Sequence, residues 1–152
     1  MVATIQQSLI KPSRQYVSEL EVVFISSKGP TQQLLVLLND SILFLTRTTN
    51  KTFAFTGLFP IKAVRMQAID MVQAKFQLKN SAAKGADLSK CWPYWIHMRY
   101  EDTEYLLSVA SEKDQTTLIS SFETLKANVQ RRYWKCEVAQ NAPSPRHHHT
   151  YV

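Results

Sequence analysis

The stretch QQLLVLLNDSILFLT, residues 32–46, consists of two apolar, β-prone runs separated by Asn39-Asp40. Asn and Asp tolerate left-handed backbone angles and hydrogen-bond to their own backbone, so this pair is suited to a tight reversal of the chain. The apolar residues are continuous within each run, whereas a helix would space them at steps of three and four. The stretch therefore predicts a buried β-hairpin.

Strand patterns also flank this hairpin. Tyr16–Ile25 alternates between apolar and polar residues, which predicts a half-buried strand, and the turn residues of Ser26–Pro30 end it. After the hairpin, Arg47–Gly57 is interpreted as a polar and aromatic connection. Four more strands are predicted over Phe59–Ala68, Val72–Leu78, Tyr94–Tyr100 and Tyr105–Val109. A long loop is predicted over residues 80–93.

The periodicity then changes to that of a helix. Apolar residues recur at steps of four, three and four, on one stripe made by Leu118, Phe122, Leu125 and Val129. Ser111 followed by Asp114 resembles a capping box, and the helix is predicted to end near Arg132. Seven short strands followed by one helix predict a mainly β fold, a seven-stranded antiparallel, partly open barrel or sandwich capped by a C-terminal α-helix.

The length of 152 residues suits one domain with its own core. Residues 1–13 are interpreted as the end of a preceding helix or linker, because Pro12 stops helical continuation. A helix that enters at position 1 without a cap indicates a longer parent chain. Residues 14–134 are the predicted domain. Residues 135–152, with two prolines and the His147–His149 run, are predicted to be a flexible tail.

Charge and hydropathy narrow the location and the partners. The chain has 18 Lys and Arg against 12 Asp and Glu, a net charge of +6. Such an excess fits an anionic partner such as a membrane surface, and it is equally common as a means of staying soluble. We find neither a secretory signal pattern nor about 20 consecutive apolar residues, and expect a cytoplasmic protein that can also attach peripherally to membranes.

The residues that usually perform chemistry are sparse. Cys91 and Cys136 form no CxxC pair, and no histidine lies at ligand spacing, so no metal site is predicted. The three glycines are too scattered for a phosphate-binding loop. His97 is interpreted as a half-exposed strand residue. We therefore predict no enzyme, no cofactor and no nucleic-acid partner.

Three segments carry a resemblance to a known family. They are LIKPSRQYVSELE at residues 9–21, LLNDSIL at residues 37–43, and the Tyr-Leu-Leu strand followed by a helix at residues 105–129. In this order they resemble the pleckstrin-homology domain that follows the Dbl-homology domain in Rho-family guanine-nucleotide exchange factors. The resemblance implies a non-catalytic regulatory or targeting module.

The resemblance also suggests where phospholipid would bind. Members that bind phosphoinositides tightly have a lysine between the first two strands and a basic-x-Arg pair in the second. Lys28 matches the first position, but the second strand, QQLLVL at residues 32–37, has no cation. We expect three cations, Lys28, Arg47 and Lys51, to lie at one end of the barrel. Their convergence predicts weak binding to anionic phospholipid with little preference for a particular headgroup. An equally good interpretation is that these cations are scattered, solvated surface charges.

Protein partners are the second implication. The resemblance implies contacts with a Dbl-homology domain of the same parent chain and with a Rho-family small GTPase. The end of the predicted helix carries a basic, aromatic patch made of Arg131, Arg132, Tyr133 and Trp134. Such patches are enriched at protein interfaces, and an equally good interpretation is that these residues are the last helical turn and pack on the barrel. The alternative is an adaptor domain outside any exchange factor, of the pleckstrin-homology or the phosphotyrosine-binding type. A phosphotyrosine-binding domain takes a peptide as an added strand.

Overall fold

The structure, a computed structural model, describes residues 13–26, 28–50, 52–79 and 88–141, with side chains as far as Arg132. Its seven strands form one antiparallel sheet in the order β4-β3-β2-β1-β7-β6-β5. They are β1 (Tyr16–Ser26), β2 (Gly29–Leu38), β3 (Ser41–Arg47), β4 (Phe53–Pro60), β5 (Val64–Ile69), β6 (Tyr94–Tyr100) and β7 (Thr103–Val109). Two helices accompany them, α1 (Met71–Lys79) and α2 (Glu112–Asn141). The predicted fold class, a seven-stranded open sheet with a C-terminal helix, is confirmed.

The predicted hairpin is β2–β3, with Leu37 opposite Ile42 and the turn at Asn39-Asp40. It is buried on both faces, which explains its continuous apolar runs. The inner face contributes to the main core, and the outer face forms a smaller cluster centred on Val36, Leu38 and Leu43.

An aromatic cluster shows that the sheet curls back on itself. The ring of Phe59 on β4 lies 5.2 Å from that of Tyr100 on β6, although several strands separate them in the sheet. Phe44 joins the same cluster, with its ring 5.6 Å from that of Phe59. The predicted stripe of α2 packs against this core, with Leu118 and Phe122 buried. Ser111 accepts a hydrogen bond from the Asp114 amide (3.1 Å), which confirms the predicted start of the helix.

The path between β3 and β6 differs from the prediction. The segment 47–57, interpreted as a connection, contains most of β4, and the single strand predicted over Phe59–Ala68 is divided between β4 and β5 by a 3-10 turn at Ile61–Ala63. β4 is an edge strand with mostly half-buried and exposed residues, so its hydrophobic signal is weak. Pro60, which fits the turn, marks the division.

The strand predicted over Val72–Leu78 is wrong, because these residues form α1. Asp70 caps this helix, since its carboxylate accepts a hydrogen bond from the Gln73 amide (2.8 Å). Ala74 and Leu78, one turn apart, are buried. Residues separated by four share a face in a helix as well as in a strand, so the alternation of apolar residues did not distinguish the two.

The C-terminal helix is longer than the sequence pattern indicated. α2 continues past the predicted end near Arg132 to Asn141, so the boundary proposed at residue 134 lies inside the helix. The His147–His149 run and the helix end proposed within residues 1–12 lie outside the described residues.

Candidate functional site

Two of the three predicted phospholipid-binding residues, Lys28 and Arg47, lie at one end of strands β1 to β3. Lys28 is exposed in the two-residue turn between Ser26 and Gly29, and this turn requires the positive φ of Gly29 (+107°). Arg47 is exposed at the end of β3, where the register of β2 and β3 places it beside Gln32. Three residues of β2 lie between Lys28 and Gln32, so four steps along the strand separate these two residues by on the order of 13 Å. Lys51 lies outside the described residues.

The surroundings of Arg47 weaken its attraction for a phosphate. Its guanidinium carbon lies 5.5 Å from the centre of the Phe53 ring, a cation–π contact with the opposite residue on β4. Arg47 and Phe53 line a cleft together with Glu21 and Asp114. A carboxylate in the same cleft repels a phosphate, so the local field is less positive than the cations alone suggest.

The second strand, which has no basic-x-Arg pair, contains two adjacent glutamines, Gln32 and Gln33, with partners of their own. Gln32 donates to the Glu21 carboxylate (3.4 Å), and Gln33 accepts from the Thr56 hydroxyl (3.0 Å). Gln33 faces the barrel interior and is almost fully buried. These neutral side chains connect β1, β2 and β4 and provide no charge for a headgroup.

The predicted protein interface lies on the last described part of α2. Arg131 and Arg132 are exposed, and Arg132 donates a hydrogen bond to the Asn39 carbonyl (3.3 Å) at the tip of the β2–β3 hairpin. The helix therefore contacts the hairpin tip at Arg132, and it continues beyond this patch to Asn141. The side chains of Tyr133 and Trp134 lie outside the described part of the chain.

Sequence reasoning missed a polar cluster at the same hairpin tip, which we call the Arg14–Asp40 cluster (Ser13, Arg14, Gln15, Asn39 and Asp40). Arg14 donates to both carboxylate oxygens of Asp40 at 2.9 and 3.1 Å, and only 5% of its side chain is exposed. Asn39 accepts from the Gln15 amide (2.8 Å) and donates to the Ser13 carbonyl (2.6 Å). The hairpin tip thus fixes the segment that leads into β1.

The Arg14–Asp40 cluster borders a cleft of about 540 Å³. Arg132 and Val129 of α2 and Lys62 of the 3-10 turn also line this cleft. The segment leading into β1, the hairpin tip and α2 therefore meet in one place.

The edge of β5 is partly occupied, which bears on the peptide-binding alternative. The ammonium of Lys126 on α2 donates a hydrogen bond to the carbonyl of Val64, the first residue of β5. A peptide added between β5 and the C-terminal helix would need that edge for its own hydrogen bonds. The structure thus disfavours strand addition at this end of β5.

His97 is the one histidine among the described residues, and it lies beside Glu104. The His97 side chain is 16% exposed, and its Nε2 lies 3.6 Å from the carboxylate of Glu104, which is mostly exposed. Among the described residues, no three His, Cys, Asp or Glu side chains converge as metal ligands. Nor does any helix in this part of the chain have the length and apolarity needed to cross a membrane.

Solved structures provide the comparison that decides the fold. The chain is similar to the N-terminally truncated linker-DH/PH domains of p115-RhoGEF, with a TM-score of 0.57 and 10% identity over 82% of this chain and 32% of that one. The chain has the pleckstrin-homology fold. The DH/PH fragment of PDZRHOGEF in complex with human RhoA gives a TM-score of 0.57 at 15% identity, covering 84% of this chain and 33% of the other.

A third solved structure, Vav1 bound to an allosteric inhibitor, gives a TM-score of 0.55 at 12% identity over 75% of this chain and 27% of that one. In each case the pleckstrin-homology fold spans about a third or less of the matched chain. No family model and no curated protein matches the sequence. The fold that the sequence resemblance implied is therefore confirmed.

Proposed function

We propose that this chain is a non-catalytic regulatory and targeting module of a Rho-family guanine-nucleotide exchange factor. The observation that carries the proposal is the shared fold with DH/PH fragments, including one solved in complex with RhoA. In the proposed setting, a Dbl-homology domain of the same parent chain precedes β1 and packs near the Arg14–Asp40 cluster. A Rho-family GTPase is the second proposed partner.

The parent gene offers the most direct test of this proposal. An all-helical domain of about 200 residues is expected to be encoded directly before Met1, since that is the size of an exchange domain. A parent gene without such a domain would rule out the exchange-factor role. The pleckstrin-homology adaptor alternative would then be the better explanation of the fold.

Charge reversal of the helix patch, Arg131→Glu/Arg132→Glu, is expected to weaken binding of the chain to the exchange domain or to RhoA about tenfold. Arginines are frequent hot spots at interfaces, and one such residue often accounts for a tenfold change in affinity. Titration calorimetry with the exchange domain, and with RhoA in its GDP and GTP-γ-S forms, measures the change. Arg65→Glu, an exposed charge reversal on β5, is the control. Equal affinities of the wild-type chain, the Arg131→Glu/Arg132→Glu variant and the Arg65→Glu control would exclude the patch from the interface.

Weak binding to anionic phospholipid is the second part of the proposal, assigned to Lys28, Arg47 and Lys51. The triple variant Lys28→Glu/Arg47→Glu/Lys51→Glu is expected to lower binding to phosphoinositide vesicles at least tenfold, because each cation near an anionic surface contributes about 1 kcal/mol. Flotation with and without phosphoinositide measures it. Binding that is absent from the wild-type chain, or equal in both proteins, would refute this assignment.

A further inference from the structure

Two arginines face each other across neighbouring strands. Arg65 on β5 is directly opposite Arg99 on β6 in the register of this antiparallel pair. Residues opposite each other in such a pair project from the same face of the sheet, with Cβ atoms about 5 Å apart. Both side chains are exposed, and they line a cleft of about 240 Å³ together with Ala63 and Glu101. The pairing of β5 with β6 thus places two guanidinium groups at one concavity, and we call them the Arg65–Arg99 pair.

The fold gives this pair of like charges no counter-charge. Like charges that lie directly opposite each other in a sheet are destabilising. Within the described part of the chain, Arg65 makes no hydrogen bond and no ion pair. Arg99 makes a single hydrogen bond there, from its Nε to the Glu101 carbonyl (3.2 Å), and no ion pair. The pair is therefore a local cost in stability that no contact among the described residues offsets.

The carboxylates beside the two arginines are directed elsewhere. Glu104 on β7 lies opposite Arg99 in the register, but its carboxylate is the one that lies 3.6 Å from His97. The negative charge of Glu101 raises the pKa of the Tyr100 hydroxyl, which places this carboxylate close to Tyr100. Neither carboxylate lies within ion-pair distance of the two guanidinium groups. Both arginines thus keep their charge available to a ligand.

We propose that the Arg65–Arg99 pair binds a phosphorylated side chain of a protein partner. A guanidinium is planar and presents its N–H groups as a fork that fits two phosphate oxygens. A phosphomonoester has nearly two negative charges and three acceptor oxygens, so one such group accepts hydrogen bonds from both arginines. The Nε bond of Arg99 to the β6–β7 turn orients that side chain before a ligand arrives and leaves its two Nη groups for the phosphate.

The acidic β6–β7 turn beside the pair favours a peptide over a lipid surface. Glu101, Asp102 and Glu104 are all exposed there. An anionic bilayer brought against the two arginines would also meet these three carboxylates, and like charges repel. A peptide places a single phosphate on the arginines and can place lysines beside the carboxylates. We therefore expect the phosphorylated residue of the partner to have basic neighbours.

The inference goes beyond the proposed function. It requires neither an exchange domain nor a membrane, and neither arginine belongs to the surfaces assigned to those partners. A parent gene without an exchange domain would therefore leave it standing.

Fluorescence anisotropy of the full 152-residue chain with a short labelled peptide, whose phosphoserine is flanked by lysines, tests the inference. The wild-type chain is expected to bind this peptide about tenfold more tightly than its unphosphorylated form, and more tightly than a phosphoserine peptide flanked by glutamates. Arg65→Gln and Arg99→Gln are each expected to lower the affinity about tenfold, since each removes charge-assisted hydrogen bonds to the phosphate. Arg65→Lys keeps the charge without the fork and is expected to recover only part of the affinity.

Two further measurements make the outcome specific. Arg131→Gln removes the same charge from an exposed position on α2 and is expected to change the affinity by less than about twofold. Arg65→Gln is expected to keep or raise the midpoint of thermal unfolding, because it removes a like-charge pair, so unfolding would not explain a loss of binding. The side-chain Nε–H signals of Arg65 and Arg99 in the NMR spectrum are expected to shift when the phosphopeptide binds.

Three results would overturn the inference: equal affinity for the phosphorylated and unphosphorylated peptides, an equal loss in Arg65→Gln and Arg131→Gln, or Nε–H signals of the pair that do not move. Tighter binding of the glutamate-flanked peptide would refute the role assigned to the acidic turn. Inorganic phosphate that binds as tightly as the phosphopeptide would refute a protein partner. Nε–H signals that move with phosphatidylserine vesicles but not with the phosphopeptide would identify a lipid site and would equally refute it.

Discussion

Phe122→Ala is expected to lower the free energy of unfolding by about 3–5 kcal/mol, the range for removing a buried phenylalanine. Phe122 is fully buried in the main core, where it packs from α2 into the curled sheet with Leu118. The loss combines the apolar area returned to water with a cavity that the surrounding strands fill only in part. For a domain whose total stability is on the order of 5–15 kcal/mol, this is a large fraction.

Urea denaturation followed by tryptophan fluorescence measures the change, since Trp95 is buried and reports on unfolding. Phe76→Ala is the matched control, because it makes the same substitution on a helix at a position that is 67% exposed. We expect it to change stability by no more than about 0.5 kcal/mol. Similar losses in the two variants would show that α2 does not seal the core as described.

The parts of this fold that the sequence predicted are those in which local pattern and tertiary burial agree. The β2–β3 hairpin is apolar on both sides and has a turn-forming pair, so few other structures accommodate it. The stripe containing Leu118 and Phe122 has a helical period and a serine cap, both of which the structure confirms. In these elements the local pattern and the packing in the fold favour the same structure.

The errors arose where the pattern was ambiguous or weak. Val72, Ala74, Phe76 and Leu78 alternate as in a strand, but only Ala74 and Leu78 are buried, and the Asp70 cap selects the helix. The capping signal, Asp70 followed by Gln73 three residues later, was present in the sequence and favours a helix start. β4 gave little signal because an edge strand needs few buried residues.

The candidate site was harder to predict because it depends on contacts between distant residues. Asn39 and Asp40 were interpreted only as turn residues, whereas their side chains hold residues 13–15, which lie 24 or more positions away. No local pattern indicates that Arg14 is buried. Nor does a local pattern indicate that Gln32 bonds to Glu21 on β1 and Gln33 to Thr56 on β4.

Asp40→Asn is expected to cost about 2–3 kcal/mol of unfolding free energy, because it removes the carboxylate charge that pairs with the buried guanidinium of Arg14. The Asp40 carboxylate accepts two hydrogen bonds from Arg14, whose side chain is only 5% exposed, whereas that of Asp40 is 31% exposed. The expected loss in unfolding free energy is smaller than for a fully buried ion pair because water reaches the Asp40 carboxylate. In the proposed exchange factor, the same change is expected to loosen the contact between β1 and the Dbl-homology domain that precedes it.

A double-mutant cycle with Arg14→Met isolates the interaction, and the double variant is expected to be more stable than the sum of the two single losses predicts. Hydrogen exchange gives a local readout, since the Gln15 and Asn39 amides both bond within the Arg14–Asp40 cluster and should lose protection in Asp40→Asn. Glu104→Gln is the control, because Glu104 lies 3.6 Å from His97 in a loose pair and its own side chain is mostly exposed. We expect Glu104→Gln to change the free energy of unfolding by no more than about 0.5 kcal/mol. Additive losses in the cycle would contradict the coupling between Arg14 and Asp40 that holds the start of β1 to the hairpin tip.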